Sequence, residues 1–426
     1  MRAIATSITA LFVVCAGVVS DAPAQSSEPL LRRAAADPAL SAESPIGAPY
    51  EWQFQATHAD EVPAAVMHAA SSITIAVIDT GADLTAPDLA AKTPEAYNIR
   101  SGSSDVVDER GHGTFVASLA AGSATNREGI AGFGGGARLL VIKAAGPDGT
   151  FTDVDEANAI VYAVDHGARV INLSFGGPDT SSTEQRGIDY AAAHGVMLVA
   201  PVGNEYADGN PAEYPASSLP SHGGLAVGAS TSDGRRASFS NTGEQLSLLA
   251  PGEGVFGAVA STAPSGAFRR VRLPGSTRGR YGFASGTSFA APQVAGAAAL
   301  VMAANPSLSV AEVARTLEQS ASGHGSWTSE RGYGVLDVAA AVALAQGRAS
   351  VSLTGVRARS RLRLTWFGEG ATRFRLSVSV DGRRPHVLLD STSRTRAAAQ
   401  LQHGHRYRFI LKSLDTDAAS AFSIRG

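Results

Sequence analysis

The chain has 426 residues, of which 44% are hydrophobic and 17% are charged, and its formal net charge at pH 7 is −3. This length allows two or three domains, and the composition is that of a globular protein with a large core, which excludes an intrinsically disordered chain. A net charge so close to zero provides no strong field to attract nucleic acid or a charged membrane surface. We therefore expect no nucleic acid among the partners. Beyond the N-terminal stretch described next, we identify no uncharged apolar run long enough to span a membrane, so we also expect no stable membrane insertion.

Residues 1–24 have the organisation of a secretory signal peptide. Arg2 supplies the positive start, Ile8–Val19 the apolar stretch and Ala22–Ala24 an A-x-A cleavage site. The stretch is too short for a stable transmembrane span. The only cysteine, Cys15, lies inside it; a lipoprotein anchor there is an alternative, although valines precede it where such sites usually have a small residue. We expect a protein secreted to the periplasm or the cell exterior, with no disulfide in its mature form.

The next residues, 25–47, are polar, Ala-rich and interrupted by prolines, which indicates a flexible arm. Tyr50–Ala70 carries large apolar residues at roughly helical spacing, so we expect it to pack onto a core. From Ile73 onward, short runs rich in Val, Ile and Leu alternate with longer helical patterns. Such alternation predicts an α/β domain, over residues 48–348, whose parallel sheet is covered by helices on both faces.

The predicted strands are Ile73–Ile78, Arg138–Lys143, Val170–Leu173, Val196–Pro201 and Leu225–Ala229; the predicted helices are His112–Ala121, Thr152–His166, Thr183–His194, Ser288–Asn305, Ser309–Ser320 and Val335–Ala345.

The pattern changes at Ala349, after which alternating strand-like segments predict a small all-β sandwich over residues 349–426. Leu401, Gly404 and Tyr407 follow one another at intervals of three just before a predicted strand. This spacing resembles the tyrosine corner of fibronectin type III domains, and Trp366 fits their core tryptophan. A plain β-sandwich without that relationship is the alternative.

Three polar residues stand where elements of the α/β domain end or begin. Asp79 ends the apolar run ITIAVID, so its carboxylate faces the crevice where open α/β sheets bind ligands. His112 lies between two glycines at the start of an Ala-rich helical pattern. Ser288, in YGFASGTSFAAP, is predicted to reach the first turn of a buried helix, where free N–H groups favour a nucleophile and an oxyanion. Each could instead be an ordinary cap or a satisfied polar residue.

The segments DTG, HGT and GTSFAAP, in this order, resemble the signatures of the subtilisin-like serine proteases. The resemblance implies an Asp79-His112-Ser288 triad, in which His112 takes the proton of the serine hydroxyl and Asp79 orients the imidazole. It also implies that Asn204, in VAPVGNEY, provides an oxyanion-hole amide beside the backbone N–H of Ser288. No cofactor is then required for catalysis.

The same resemblance implies that substrate binds as an extended strand between two segments. One consists of Ser174, Phe175 and Gly176, and the other of Asp148, Gly149, Thr150 and Phe151; both could be plain loops. Aligning AEYP on the family's Tyr-Pro landmark places Glu213 at the base of the selectivity pocket, with Glu205 near it. A carboxylate there favours Arg or Lys before the cleaved bond, unless Glu213 points to solvent or pairs with an Arg.

Two further expectations come from the family. Asp88 and Asn126 fall where it often binds a structural calcium, although Arg127 and Glu128 interrupt the usual run of neutral residues. Secreted members usually carry a folded inhibitory pro-domain, which residues 25–47 are too few to form. Taken together, the sequence predicts a secreted serine endopeptidase that acts on polypeptides. The alternatives are a catalytically idle binding protein, with the β domain as its working part, and an amidase or esterase on the same triad.

Overall fold

The structure is a computed structural model of the chain. It describes residues 50–126, 128–273, 280–347, 351–358, 360–368, 372–416 and 418–425. The predicted signal peptide and arm, the residues around the predicted boundary at Ala349, and Arg127 therefore lie outside the described residues.

The helices are α1 Trp52–Ala56, α2 Ala64–Ala69, α3 Pro87–Ala90, α4 His112–Ala121, α5 Asp153–Asp165, α6 Ser182–Ala193, α7 Ala291–Ala304, α8 Val310–Ser320 and α9 Val338–Ala345. The strands up to residue 284 are β1 Thr74–Asp79, β2 Glu95–Asn98, β3 Arg138–Lys143, β4 Val170–Leu173, β5 Met197–Pro201, β6 Leu225–Ser230, β7 Leu248–Pro251, β8 Val255–Ala258, β9 Arg269–Val271 and β10 Tyr281–Ala284. The later strands are β11 Val351–Ala358, β12 Arg361–Gly368, β13 Phe374–Val380, β14 His386–Thr392, β15 Arg396–Gln400, β16 Arg406–Ser413 and β17 Ala419–Arg425.

Seven of the strands form one parallel sheet in the order β2-β3-β1-β4-β5-β6-β7. The predicted α/β fold is confirmed. All five predicted strands belong to this sheet, and each predicted boundary is within one residue of the observed one. β1 lies in the interior of the sheet with both edges paired, and every one of its residues is buried, so Asp79 at its end has a rigid support.

Alternate residues of the strands face two different helical layers. Ile75 and Val77 of β1 belong to a core shared with α4, α7, α8 and α9. Ala76 and Ile78 belong to a second core shared with α5 and α6. The two-residue repeat of a strand therefore divides one apolar run between two cores, as expected for a parallel sheet covered on both sides.

The stretch Thr287–Ala304, which contains α7, is the one described helix long and apolar enough to cross a membrane. However, 83% of it is buried inside the protein, as expected for the central helix of a core. A small antiparallel sheet, β8-β10-β9, precedes it and leads the chain towards Ser288.

The C-terminal strands form two facing antiparallel sheets, one of three strands (β11-β12-β15) and one of four (β14-β13-β16-β17). Between them lies a separate core that includes Trp366, 1% exposed, and Tyr407. The hydroxyl of Tyr407 accepts a hydrogen bond from the backbone N–H of Gln402 at 2.8 Å. This closes the loop before β16 as a tyrosine corner does. The sandwich fits the predicted arrangement, and its relationship to fibronectin type III domains remains a prediction.

Candidate active site

The carboxylate of Asp79 lies at the end of β1 and is 1% exposed. Its Oδ1 accepts hydrogen bonds from the backbone N–H of Thr80 at 2.7 Å and from Nδ1 of His112 at 2.8 Å. Because Nδ1 carries a proton in this bond, Nε2 is the free basic nitrogen of the neutral imidazole.

His112 is the first residue of α4, and two glycines allow it to approach Asp79. Gly111, just before the helix, has a positive φ of 80°. A Cβ on Gly113 would lie 2.1 Å from the carbonyl oxygen of Gly81 and 3.0 Å from Cβ of Asp79. Any side chain at residue 113 would therefore push α4 away from the end of β1 and break the contact between Asp79 and His112.

The pKa of His112 is raised above its ordinary value. Burial acts to lower this pKa, but the charge and hydrogen bond of Asp79, with a smaller contribution from Asp108, outweigh it. The imidazole side chain keeps 30% of its surface exposed, so it remains accessible to a substrate. This arrangement favours the imidazolium, the form that a base reaches when it takes a proton.

Asp108, which the sequence reasoning missed, joins the segments that carry Asp79 and His112. Its buried carboxylate accepts hydrogen bonds from the hydroxyl of Thr80 at 2.8 Å, and from the N–H of Gly111 at 2.7 Å. It also accepts from the N–H and hydroxyl of Thr114 at 2.8 and 2.6 Å. Asp108 lies three residues before Gly111, the N-cap of α4, and so falls outside the position at which a capping acid can be recognised from sequence.

Ser288 lies on a single 3₁₀ turn, Thr287–Phe289, rather than in the first turn of the α-helix as predicted. In a longer helix the N–H of residue 292 would bond the carbonyl of Ser288, but Pro292 has no N–H. The carbonyl of Ser288 instead accepts a hydrogen bond from the hydroxyl of Ser174 at 2.7 Å. The ring of the next residue, Phe289, lies 5.3 Å from the ring of His112 between centroids, so the histidine and the Ser288 turn are adjacent.

The side chain of Asn204 bonds the same turn. Its Oδ1 accepts from the backbone N–H of Thr287 at 2.8 Å and from the hydroxyl of Thr287 at 3.1 Å. Because a backbone N–H can only donate, the oxygen of the amide must face Thr287. Both protons on Nδ2 are then left for another acceptor, and Asn204 is exposed to solvent.

The two predicted substrate-binding segments touch each other. The rings of Phe151 and Phe175 stack with centroids 4.1 Å apart. Asp148 closes the turn of its own segment, where its Oδ1 accepts from the N–H and hydroxyl of Thr150 at 3.1 and 2.7 Å. The hydroxyl of Ser174 bonds the carbonyl of Ser288. The segment of Ser174, Phe175 and Gly176 therefore runs beside the predicted nucleophile.

Glu213 lies between that segment and the loop of Asn204. A Cβ on Gly176 would lie 3.0 Å from Oε2 of Glu213. A Cβ on Gly203 would lie 2.5 Å from Cγ of Glu213 and 2.7 Å from Oε2 of Glu205. The two carboxylates thus border the same small space. Glu213 is 9% exposed, and no hydrogen bond or ion pair of its carboxylate is found within the described ranges. Burial, and then the charge of Glu205, raise its pKa.

Asp88 and Asn126, predicted to bind calcium, lie together but as a hydrogen-bonded pair. Oδ1 of Asp88 accepts from Nδ2 of Asn126 at 3.1 Å and from the N–H of Ile130 at 3.2 Å. Burial raises the pKa of Asp88 to about 7, against the opposing effect of these bonds and one from Tyr281.

Calcium needs six to eight oxygen ligands, whereas two N–H groups occupy Oδ1 of Asp88. The described residues also contain no group of three or more His, Cys, Asp or Glu suited to a metal. In this arrangement Asp88 and Asn126 do not form a calcium site. Calcium binding at these residues stays a prediction.

Comparison with known proteins gives consistent matches. Residues 70–334 match the model of the Subtilase family. The chain is 37% identical over 247 residues to the "Thermophilic serine proteinase" of Bacillus sp. (strain AK1), a match covering 58% of this chain and 56% of that protein. It is 34% identical over 284 residues to the "Subtilisin" of Bacillus pumilus, covering 64% of this chain and 91% of that protein.

A solved structure titled "Proteases from Pseudoalteromonas arctica PAMC 21717" superposes with a TM-score of 0.58 at 27% identity, covering 70% of this chain and 97% of that one. The match spans only 56% of the thermophilic proteinase, and 66% of a further relative, the "Subtilisin amylosacchariticus" of Bacillus subtilis subsp. amylosacchariticus. The family match nevertheless covers more than half of the chain and includes Asp79, His112, Asn204 and Ser288. The chain belongs to the Subtilase family.

Proposed function

We propose that this protein is a serine endopeptidase that hydrolyses peptide bonds through an acyl-enzyme on Ser288. The observation that carries the proposal is the 2.8 Å hydrogen bond between Asp79 and His112 beside the turn of Ser288. A serine hydroxyl is a weak nucleophile at neutral pH and needs a base next to it. The free Nε2 of His112 is that base.

In the proposed reaction, Oγ of Ser288 attacks the scissile carbonyl carbon while its proton passes to Nε2 of His112. The imidazolium is stabilised by the carboxylate of Asp79, which itself stays ionised. His112 then gives the proton to the leaving amine, and the acyl-enzyme forms. A water molecule enters and attacks the acyl carbon while it loses a proton to His112. The imidazolium then returns that proton to Oγ of Ser288 as the ester bond breaks, which releases the new carboxylic acid and restores both residues.

Negative charge develops on the carbonyl oxygen during each attack and needs fixed donors. We assign this role to Nδ2 of Asn204 and to the backbone N–H of Ser288. The bonds from Thr287 to Oδ1 of Asn204 support the assignment, because they fix the amide before substrate arrives. Removing one such donor typically costs about 10²–10³-fold in kcat.

Substrate backbone is proposed to pair as a strand with Ser174, Phe175 and Gly176 on one side and with Asp148, Gly149, Thr150 and Phe151 on the other. The stacking of Phe151 on Phe175 supports a continuous wall beside Ser288. Main-chain pairing does not depend on substrate side chains, so the preference must come from a pocket next to the reacting bond.

We place that pocket at Glu213 and Glu205, and propose a preference for Arg or Lys before the cleaved bond. Two neighbouring carboxylates repel each other when both are charged. Glu213 is also buried, with no cationic partner among the described residues, so its charged form is destabilised. A guanidinium or ammonium from the substrate would offset this cost and form charge-assisted hydrogen bonds. The same unpaired charge penalises an apolar side chain.

A peptide library profiled with Glu213→Gln and Glu213→Gly tests this preference, with exposed Asp208→Asn as the matched control. The wild type and control should favour Arg and Lys by tenfold or more over Leu and Phe, and both Glu213 variants should lose most of that ratio. An apolar preference that is the same in the wild type and the variants would remove Glu213 from the pocket.

The proposed activity is tested by casein and a small ester, each with and without a serine-reactive phosphonate. We expect hydrolysis of both substrates, loss of both after phosphonate treatment, and labelling of Ser288 in the digested protein. Ser288→Ala should be folded and inactive, whereas Ser285→Ala, on the same loop, should remain active. Ester cleavage without casein cleavage would indicate an esterase or amidase. Absence of casein cleavage, ester cleavage and phosphonate labelling would indicate a binding protein.

Secretion is part of the proposal and rests on residues 1–24. Expression of the whole chain in a bacterial host, followed by N-terminal sequencing of the exported protein, should find a first residue at or near Gln25. Retention of the full-length chain in the cytoplasm would contradict it.

A further inference from the structure

The C-terminal sandwich differs in charge from the rest of the chain. Residues 349–426 contain 14 Lys and Arg against 5 Asp and Glu, a formal net charge of +9. The preceding 348 residues contain 21 against 33, a formal net charge of −12. The overall charge of −3 thus conceals a strongly basic domain attached to an acidic one. A charge separation of this size creates a local field that the net charge does not reveal.

Three basic side chains of the four-stranded sheet and its loops are paired with acids of the sandwich. Arg375 contacts Asp390 at 2.7 Å, and Arg373 contacts Asp415 at 2.9 Å. The imidazole of His405 contacts Asp381 at 2.7 Å. Every acidic side chain of the sandwich that the structure describes is therefore paired with a basic side chain on this sheet or its loops.

The three-stranded sheet is different, because β11, β12 and β15 contain no Asp or Glu. Arg361 and Arg363 of β12 and Arg396 of β15 are exposed, and no ion pair of theirs is found among the described residues. Buried Leu362, Leu364 and Trp366 alternate with the arginines of β12, which fixes the arginines on the outer face.

The strand register arranges these three arginines in a row. Arg361 and Arg363 are two residues apart on one strand, a separation of about 7 Å. Arg396 pairs with Thr365, the next outward position of β12, and so continues the line on the neighbouring strand. The row is roughly 15 Å long by strand geometry. A linear arrangement suits an extended polymer with repeated negative charges better than a single small anion.

We propose that this face, defined by Arg361, Arg363 and Arg396, binds an anionic polysaccharide carrying carboxylate or sulfate groups. Guanidinium groups form bidentate charge-assisted hydrogen bonds with such groups. The other described outward side chains of β15 are Ala398 and Gln400, which are short or polar and leave the arginines accessible. Binding would hold the enzyme on a polyanionic matrix without involving the Ser288 site.

Two other polyanions fit less well. Single-stranded nucleic acid binds through aromatic rings on which bases stack, and surface binding to a membrane uses exposed apolar side chains next to the basic ones. Neither an aromatic ring nor a large apolar side chain is present at the outward positions whose side chains are described, which are Arg361, Arg363 and Thr365 of β12 and Arg396, Ala398 and Gln400 of β15. The exposed large apolar residues of the sandwich, Val387 and Leu388, lie on β14 of the other sheet.

The test measures binding of the full chain to immobilised heparin and alginate at several salt concentrations. Neutral dextran, an oligothymidine strand and phosphatidylglycerol vesicles serve as comparison probes. The variant Arg361→Gln/Arg363→Gln/Arg396→Gln should bind both acidic polysaccharides at least tenfold more weakly than the wild type. Its dependence on salt should also be shallower, because fewer counterions are exchanged. The control Arg373→Gln/Arg375→Gln removes two arginines that are already paired and should change affinity less than threefold.

Cleavage of a short peptide should be the same in the wild type and both variants, and unchanged circular dichroism and thermal unfolding report that the sandwich of each is folded. The three single substitutions, each expected to weaken binding at least twofold, replace the triple variant if it does not fold. The proposal is overturned if the wild type fails to bind the acidic polysaccharides or if the triple variant and the control weaken equally. It is also overturned if the oligonucleotide or the vesicles bind more tightly than both polysaccharides at the same ionic strength.

Discussion

The hydroxyl of Ser174 donates a hydrogen bond of 2.7 Å to the backbone carbonyl of Ser288. This bond replaces the helical one that Pro292 cannot form, and it joins the proposed substrate-binding segment directly to the proposed nucleophile. Asn172 supports it, because its Nδ2 donates to the same hydroxyl at 2.8 Å. The position of Ser288 therefore depends on a residue 114 positions earlier in the chain.

Ser174→Ala should lower kcat about 3- to 10-fold, the range expected when one buried hydrogen bond of about 1 kcal/mol is lost. Substrate would still pair with the backbone of residue 174, so KM should change less than about twofold. Steady-state kinetics on a peptide substrate measures both. Ser182→Ala, at an exposed position at the start of α6, is the control and should match the wild type. A rise in KM with unchanged kcat would contradict the positioning role.

Asp108→Asn should reduce both stability and activity. The buried carboxylate accepts hydrogen bonds from Thr80, Gly111 and Thr114, and an amide would replace one accepting oxygen with a group that donates. Hydrogen bonds to a charged acceptor contribute roughly 1.5–3 kcal/mol each, so we expect a loss of at least about 2 kcal/mol in urea unfolding. Exposed Asp105→Asn should lose less than about 0.5 kcal/mol. Equal losses in the two variants would show that Asp108 does not organise the site.

The value of kcat/KM should fall as pH falls through the pKa of His112, which lies above its ordinary value of 6.5. The acid limb of the profile should therefore have its midpoint above pH 6.5, because only the neutral imidazole can accept a proton. Asp79→Asn removes the charge that raises this pKa, so the midpoint should move to lower pH. The variant should also lose roughly 10⁴-fold in kcat, as expected when the orienting acid of a Ser-His-Asp triad is replaced. An unmoved midpoint would mean that another group controls the profile.

Much of the site could be predicted from the sequence, because short local patterns determine where strands and helices begin and end. The ends of β1 and α4 placed Asp79 and His112 correctly relative to the sheet. What the sequence could not provide depends on contacts between distant segments. Asp108 was missed because its hydrogen bonds reach back to Thr80 and forward to Gly111 and Thr114. Strands β2 and β7 were also missed, and β2 is one of the exposed edges of the sheet, where the apolar pattern is weak.

The calcium expectation, which stays a prediction, illustrates why residue type alone is not enough. A resemblance placed Asp88 and Asn126 at a position that often holds an ion, but local residues cannot reveal how a carboxylate is satisfied. The N–H of Ile130, 42 residues from Asp88, donates to Oδ1 of this carboxylate, a contact that no local pattern indicates. Burial and donor geometry, rather than residue type, decide between a metal ligand and a hydrogen-bonded carboxyl group.

The buried pair of His58 and Asp337 should make stability depend on alkaline pH. Burial alone would lower the pKa of His58, but the attraction and 2.8 Å hydrogen bond of Asp337 raise it to about 10. A group whose pKa is higher in the folded state stabilises the fold fully at pH values below its unfolded pKa, which is about 6.5 for histidine. This stabilisation is lost as pH rises through the folded pKa. The unfolding free energy should therefore decline between pH 7 and pH 10.

His58→Gln in an inactive Ser288→Ala chain should remove that part of the pH dependence and cost about 3 kcal/mol at pH 7, because the buried carboxylate of Asp337 loses its ion pair with His58. Urea unfolding at four pH values measures both effects. Exposed His68→Gln is the matched control and should follow the parent curve. If His58→Gln keeps the full alkaline decline, the pair is not its cause.

A chain ending at Gln346 should still cleave short peptides. All proposed catalytic and substrate-binding residues lie before this point, and the core of the sandwich shares no residue with the cores of the α/β domain. The described ion pair across the boundary, Arg408 with Glu61 at 4.0 Å, is partly exposed and contributes at most about 1 kcal/mol. We therefore expect kcat/KM on a short peptide within about threefold of the full chain, and a small decrease in Tm from uncovering α1. Circular dichroism and size-exclusion chromatography establish folding before kinetics are compared. A truncated chain that is folded and monomeric but inactive would show that the sandwich takes part in catalysis.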